Sequence, residues 1–397
     1  MKRILYIQSD SKLNGSGKAL LNLISTIKEK YEIEVFLPNA NDELGKKLQG
    51  IGIRCVGCPF PVRWYPKFKK TWKIYKNIRP VHDFTIGLFD EITAMKTLNR
   101  EVNFFKPDII HTNVGPVDIG YKIANKHQIP HIWHLREYQD LDFGAHYFPN
   151  EKTFYSLIHS KDTHNIAITQ GIYNHFHLDR NKDKVIYDGV IDANISPLYS
   201  TESPIGGRFF LYVSGVVSEK KGATDALLSF CKFAKENKDF KLVYVGQYYE
   251  RDVFYQKLQS IIKKNNLESR VLFLGRRNTE EVYNLMHHAS AFLMLSKFEG
   301  FGFTTTEAMF NKCLVIGRNT AGTKEQFDNG LSFTGNEMGI RVDNTDDIIN
   351  AMRLVSNMNG NCRIARMIDD AKKTVDNLYT FQKYADNICR LYGCYSG

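Results

Sequence analysis

Short apolar runs recur along the chain, each followed by a polar or glycine-rich tip and then by a segment of helical period. The first run is Arg3–Gln8, followed by a polar glycine loop and a helical pattern from Lys18 to about Glu29. Ile33–Leu37, Pro107–His111, Pro130–His134, Asn165–Thr169 and Val185–Val190 continue the series. Asp192–Gly207, with Pro197, Pro204 and several serines, reads as a linker. Beyond it the pattern restarts at Phe209–Val213 and proceeds through Lys241–Val245, Val271–Leu274, Ala291–Leu295 and Leu314–Ile316. Strands alternating with helices at this spacing predict an α/β chain with two parallel, doubly wound sheets. A final helical stretch covers about Thr380 to Tyr392.

With 397 residues, the chain exceeds one typical domain, and two are expected. A hydrophobic content of 43% is ample for two cores. No apolar run reaches the length of about eighteen residues that a membrane span needs. Met1-Lys2-Arg3 leads at once into a strand rather than into a signal peptide. The seven cysteines are scattered, and Cys55/Cys58 is the one C-x2-C pair, so a reducing cytoplasm is expected and neither zinc nor a disulfide framework is.

The net charge of +10 is unevenly placed. Between Leu44 and His82 there is no Asp or Glu, while ten cations run from Lys46 to Arg79. Phe68, Trp72 and Tyr75 fall at helical spacing among them. Such a segment reads either as a contact with an anionic membrane surface or as a surface helix packing its aromatic stripe on a core. Nucleic acid is not expected, because no nucleic-acid module accompanies the patch.

The richest chemistry lies in Ser296–Met309, where Glu299 and Glu307 flank the turn Gly300-Phe301-Gly302-Phe303-Thr304. Ala291–Leu295 before it reads as a buried strand and the segment from Glu307 as a helix. Strand, glycine turn and helix direct backbone N–H groups at a phosphate. Carboxylates there repel phosphate and suit sugar hydroxyls and a ribose instead. Glu307 alone also reads as a first-turn glutamate favoured by the helix dipole.

This run resembles the E-x7-E signature of the retaining family 4 glycosyltransferases, which have the GT-B fold. Cys313–Gly317 and Ala321-Gly322-Thr323-Lys324-Glu325 are similar to that family's "P-V-I" strand and "G-G-x-x-E" turn. The resemblance implies that Glu299 contacts the donor sugar and Glu307 the nucleotide ribose. Gly215–Gly222 resembles "G-R-x4-K-G": Lys221 and Gly222 match as diphosphate-binding positions, but Val216 stands where the arginine would be. Asn14–Lys18 is neither a P-loop nor G-x-G-x-x-G; it resembles the family's first glycine loop, with Gly15 facing substrate. Trp133–Glu137 matches a "W-H-x-R-E" variant of members making surface polysaccharides, which puts His134 near the donor sugar. Arg136, two residues on, is expected to reach the donor phosphates and replace the charge missing at Val216. Two further departures are Asn113 for the second His of "H-x-H" and Asp188 for the Asn of "N-G-V".

The resemblance implies two Rossmann-like domains with an interdomain cleft. Residues 1–195 would bind acceptor, 196–379 the nucleotide sugar, and 380–397 would form a helix crossing back to the first domain. Catalytic roles are expected for Glu299, His134 and Lys221. Donor contacts are expected from Glu307, Gly15, Gly222, Gly300, Phe301, Gly302, Phe303, Thr304 and Arg136. The expected reaction is retaining transfer from a UDP- or GDP-linked sugar to a glycan or lipid-linked acceptor, with neither cofactor nor metal. The enzyme would be cytoplasmic or peripheral on the inner membrane face. A GT-B phosphorylase or epimerase, or a non-catalytic membrane-associated module, is the alternative.

Overall fold

The computed structural model describes residues 1–66, 75–358 and 361–395 and divides into two compact units. Residues 1–189, together with the end of the chain from Phe381, form unit 1; Val190–Thr380 form unit 2.

Unit 1 opens with β1 (Lys2–Ile7), α1 (Gly15–Ile27), β2 (Tyr31–Leu37), α2 (Glu43–Gly50), β3 (Arg54–Gly57) and β4 (Trp64–Pro66). Next come α3 (Tyr75–Phe105), β5 (Ile109–Thr112), α4 (Ile119–His127), β6 (His131–Leu135), α5 (Asp140–Phe143) and β7 (Ala145–Tyr147). It continues with α6 (Glu151–Ile158), β8 (Thr163–Ala167), α7 (Gln170–His175) and β9 (Lys184–Val185). Seven strands form a parallel sheet in the order β3-β2-β1-β5-β6-β8-β9, and β4 pairs antiparallel with β7.

Unit 2 contains β10 (Arg208–Val216), α8 (Ala223–Phe233), β11 (Phe240–Gln247), α9 (Val253–Lys264), β12 (Val271–Phe273) and α10 (Thr279–His288). It then runs through β13 (Ala291–Met294), α11 (Phe303–Phe310), β14 (Val315–Arg318), α12 (Ala321–Thr334) and β15 (Ile340–Val342). The helices α13 (Thr345–Ser356) and α14 (Cys362–Leu378) complete it, and α15 (Phe381–Gly393) returns to unit 1. The sheet of unit 2 is parallel, in the order β12-β11-β10-β13-β14-β15.

The period-2 pattern of β1 shows why helices cover both faces of the first sheet. Ile4 and Tyr6 pack with α1 residues Leu20, Leu23 and Ile24 and with α15 residues Ile388 and Tyr392. Leu5 and Ile7 face the other way, against Leu98 and Val102 of α3 and Ile123 of α4. In unit 2, α8 and α13 bring Leu227, Phe230, Ile348 and Met352 onto the sheet core around Phe210 and Leu242. Full burial of one such side chain contributes about 1.5–3 kcal/mol. Helix starts are set locally by Asn side chains that accept backbone N–H bonds: Asn14, Asn150, Asn278, Asn344 and Asn361.

Three expectations change. The strand predicted over Val185–Val190 ends at Val185, because Asp188 turns inward to bind Arg136. The predicted linker is packed onto unit 2: the Tyr199 ring stacks on His287 at 3.8 Å, and its hydroxyl donates to Asn311 Oδ1 at 2.8 Å. Of the ten cations between Leu44 and His82, Arg54 pairs with Glu34 and Glu101, and Arg63 with Glu91 and Asp118, so these two serve the fold. Phe68 and Trp72, central to the predicted aromatic stripe, lie outside the described residues. Among the described residues no helix is long and apolar enough to cross a membrane.

Candidate active site

In each sheet the strand order reverses at one place, between β1 and β5 in unit 1 and between β10 and β13 in unit 2. Loops leaving the carboxyl ends of such neighbouring strands diverge and leave a crevice where ligands of open α/β sheets bind. The residues singled out from the sequence cluster at these two places.

In unit 2, β10 carries an irregularity between Val213 and Val216 and passes through a turn into α8. Gly222 caps α8 with φ of 78°, and a Cβ there would lie 2.3 Å from the carbonyl oxygen of Leu295. Only glycine therefore lets the start of α8 meet the end of β13. This approach brings Lys221 to the loop after β13, where Nζ donates to Glu299 Oε2 at 2.5 Å. The side chains are 42% and 21% exposed, so solvent screens the pair and it contributes little to stability. Its consequence is chemical: an ammonium and a carboxylate stand together at the reversal point of the sheet.

The loop from Glu299 to Phe303 is held from behind by α12. Gly322 N–H donates to the Glu299 carbonyl at 3.0 Å, and a Cβ on Gly322 would be 2.4 Å from the Phe301 carbonyl oxygen. Gln326 Nε2 donates to that same carbonyl at 2.7 Å. These two supports lay outside the site residues expected from sequence, although Gly322 stood in a recognised motif. The Phe301 ring is buried edge-on to Phe303 and Tyr379. Gly302, with φ of 90°, caps α11, and Phe303 and Thr304 begin that helix. The hydroxyls of Thr305 and Thr306 are buried without a hydrogen-bond partner among the described residues. Glu307 is partly buried one turn along α11. Burial, and then the charge of Glu307, push the Tyr283 phenol upward. Gly300 is partly exposed, and Val216 is half-exposed at the end of β10.

In unit 1, Asn14 accepts from Gly17 N–H at 3.0 Å, and α1 begins at Gly15. A Cβ on Gly15 would meet nothing within 4 Å, so packing does not require glycine there. Gln8, at the end of β1, and Asn113, after β5, join across the reversal point: Asn113 Nδ2 donates to Gln8 Oε1 at 2.7 Å. Arg136 does not act as a spare cation for a phosphate. It is 3% exposed, and Nη1 donates to both oxygens of Asp188 at 2.6 and 2.7 Å. Nε donates to the Asn113 carbonyl at 3.0 Å, and Nη2 to Asn113 Oδ1 and the Tyr384 hydroxyl at 3.0 and 2.9 Å. Its donors are engaged and its charge is met by a carboxylate. The two departures noted in the sequence, Asn113 and Asp188, thus converge on Arg136.

His134 is fully buried. Its ring stacks on His111 with centroids 5.4 Å apart, and His111 Nε2 lies 3.3 Å from His134 Nδ1. His111 Nδ1 is 2.6 Å from the Tyr392 hydroxyl, which is 2.5 Å from that of Tyr6. Burial first, and then the Arg136 charge, hold both histidines well below their ordinary value, so both rings are neutral. His134 Nε2 is buried with no partner among the described residues.

The family described as glycosyl transferases group 1 matches residues 199–374. An uncharacterized glycosyltransferase of Methanocaldococcus jannaschii is 29% identical over 226 residues, 55% of this chain and 58% of that protein. The N-acetylgalactosamine-N,N'-diacetylbacillosaminyl-diphospho-undecaprenol 4-alpha-N-acetylgalactosaminyltransferase of Campylobacter jejuni is 27% identical over 187 residues, 46% of this chain and 47% of its own length. The chain thus spans about half the length of these curated relatives. Over whole chains, the crystal structure of Anabaena HepE with UDP superposes with a TM-score of 0.77 at 18% identity, covering 99% of this chain and 100% of HepE. Residues 199–374 thus match the glycosyl transferases group 1 family, in a chain that has the GT-B fold along its length.

Proposed function

We propose that the chain is a retaining glycosyltransferase of family 4 type. It moves a sugar from a UDP- or GDP-linked donor to a glycan or lipid-linked acceptor, in the synthesis of cell-surface polysaccharide. The observation that carries this reading is the Lys221–Glu299 pair at the reversal point of the second sheet. A donor diphosphate arriving there takes over the Lys221 ammonium and releases the Glu299 carboxylate to accept hydrogen bonds from sugar hydroxyls. Glu307 receives the ribose hydroxyls, and the N-termini of α8 and α11 face the phosphates. The bond between C1 and the phosphate oxygen then breaks towards an oxocarbenium-like state. Lys221 stabilises the charge that grows on the leaving diphosphate. The acceptor hydroxyl attacks C1 on the face the diphosphate leaves, and its proton passes to the departing phosphate oxygen.

HepE is solved with UDP and with UDP-glucose, and the Campylobacter relative is named for a diphospho-undecaprenol acceptor; both support the substrate classes chosen. The basic sequence from Lys67 to Arg79, followed on α3 by exposed Leu88, Phe89 and Ile92, supports a contact with an anionic membrane that presents such an acceptor. Slow donor hydrolysis in the absence of acceptor tests the stereochemistry. The free sugar first formed should have the donor's anomeric configuration by NMR, and the opposite anomer would overturn retention.

A further inference from the structure

We propose that Tyr392 of α15, acting through His111, and Arg136 set His134 as a neutral hydrogen-bond donor whose Nε2–H is reserved for a sugar oxygen of the substrate. The functional half of this inference rests on the transferase reading; the protonation half does not.

The position of Arg136 gives the chain of hydrogen bonds one direction. Arg136 Nη2 lies 3.4 Å from His134 Nδ1, and a guanidinium carries only donors. A bare lone pair facing it is attracted and an N–H is repelled, so Nδ1 is bare and the proton of the neutral ring sits on Nε2. His111 must then donate from its own Nε2 to His134 Nδ1, which leaves His111 Nδ1 bare and accepting from the Tyr392 hydroxyl. Tyr392 in turn accepts from Tyr6. In the direction assigned, each O–H and N–H along this series has an acceptor except His134 Nε2–H, which has none among the described residues.

The charged and titratable groups around His134 agree with a neutral ring. Arg136 faces it with Asp188 behind, His111 stacks on it with His131, Tyr392 and Tyr6 beyond, and the Tyr384 ring lies 6.2 Å away. The carboxylate in this group, Asp188, is bidentate on Arg136. His134 therefore cannot serve as a base through Nε2; it orients or polarises an oxygen. Tyr392, His111 and Arg136 are positioning residues that act through it.

The test is a long-range proton–nitrogen NMR correlation on the full chain with labelled histidine, recorded without substrate and assigned with His134→Gln. The expected spectrum shows a bare Nδ1 and a protonated Nε2 on His134, unchanged between about pH 5 and 8. A bare Nε2, or a ring that titrates near the ordinary histidine value, overturns the proposal. Tyr392→Phe should move the His111 resonances towards the other tautomer and lower turnover roughly tenfold, the scale of one lost hydrogen bond, with UDP affinity unchanged. Unchanged resonances and turnover would remove Tyr392 from this role. If His134→Gln does not fold, the pH profile of the unmodified enzyme decides: an acid limb with an ordinary histidine midpoint overturns the proposal, and its absence supports it. A chain that transfers no sugar at all would overturn the transferase reading while the NMR result stood.

Discussion

At the scale of residues, the buried Arg136–Asp188 pair holds more than itself in place. Through Asn113 it secures Gln8, and through Tyr384 it ties α15 to the end of β6. Arg136→Ala leaves a carboxylate unpaired in the interior, and the expected loss of stability is about 3–5 kcal/mol by denaturant titration. A loss below about 1 kcal/mol, the range of exposed pairs, would show that the pair is not buried in solution. Val216→Arg, by contrast, places a side chain on a half-exposed strand end and should change stability and turnover little. The histidines add a pH dependence. His111 and His134 are held well below their ordinary value and His131 down to about 3, each chiefly by burial. Below about pH 6.5 the unfolded chain binds protons that the folded chain does not, so stability present above that pH is lost as pH falls towards 3. The melting temperature should drop steeply between pH 7 and 5; a flat profile there would mean that these rings are not buried and neutral.

At the scale of elements, two positions decide how the site loops meet their helices. Gly222→Ala forces a Cβ against the Leu295 carbonyl and should abolish soluble folding or nucleotide binding. Ala321 sits where the resemblance expects the first glycine of "G-G-x-x-E", and the chain adopts φ of 46° there all the same. Relieving that left-handed conformation with Ala321→Gly should stabilise the protein by roughly 1–2 kcal/mol, read as a higher denaturant midpoint. Strand, glycine turn and helix around Glu299 were legible because their signals are local: a buried run, a Gly-x-Gly turn and a following helical period. What could not be read was the fate of Arg136. Its partners Asn113, Asp188 and Tyr384 lie 23, 52 and 248 positions away, and only the fold brings them to it. The same holds for β9, which yields its last residues to Asp188, and for the expected linker, which Tyr199 pins to α10. For the basic segment, replacing Lys69, Lys70, Lys73 and Lys76 by Gln should release the protein from anionic liposomes without altering its melting temperature. Unchanged liposome binding would remove the membrane contact.

At the scale of the molecule, two parallel sheets each reverse strand order once, and each reversal point carries a different chemistry. Unit 1 presents buried, neutral histidines and a neutralised arginine. Unit 2 presents a cation and a carboxylate that are still reachable from solvent. The proposed function places the nucleotide diphosphate at unit 2, and calorimetry with the bare nucleoside diphosphate, UDP or GDP, tests that proposal most directly. The full chain should bind it. Glu307→Ala should weaken binding by about 1–3 kcal/mol, the cost of losing a hydrogen bond to a charged group. Glu299→Ala should bind it as the unmodified chain does while transferring no sugar. Absence of binding to either nucleotide, or loss of affinity in Glu299→Ala with none in Glu307→Ala, would contradict the account.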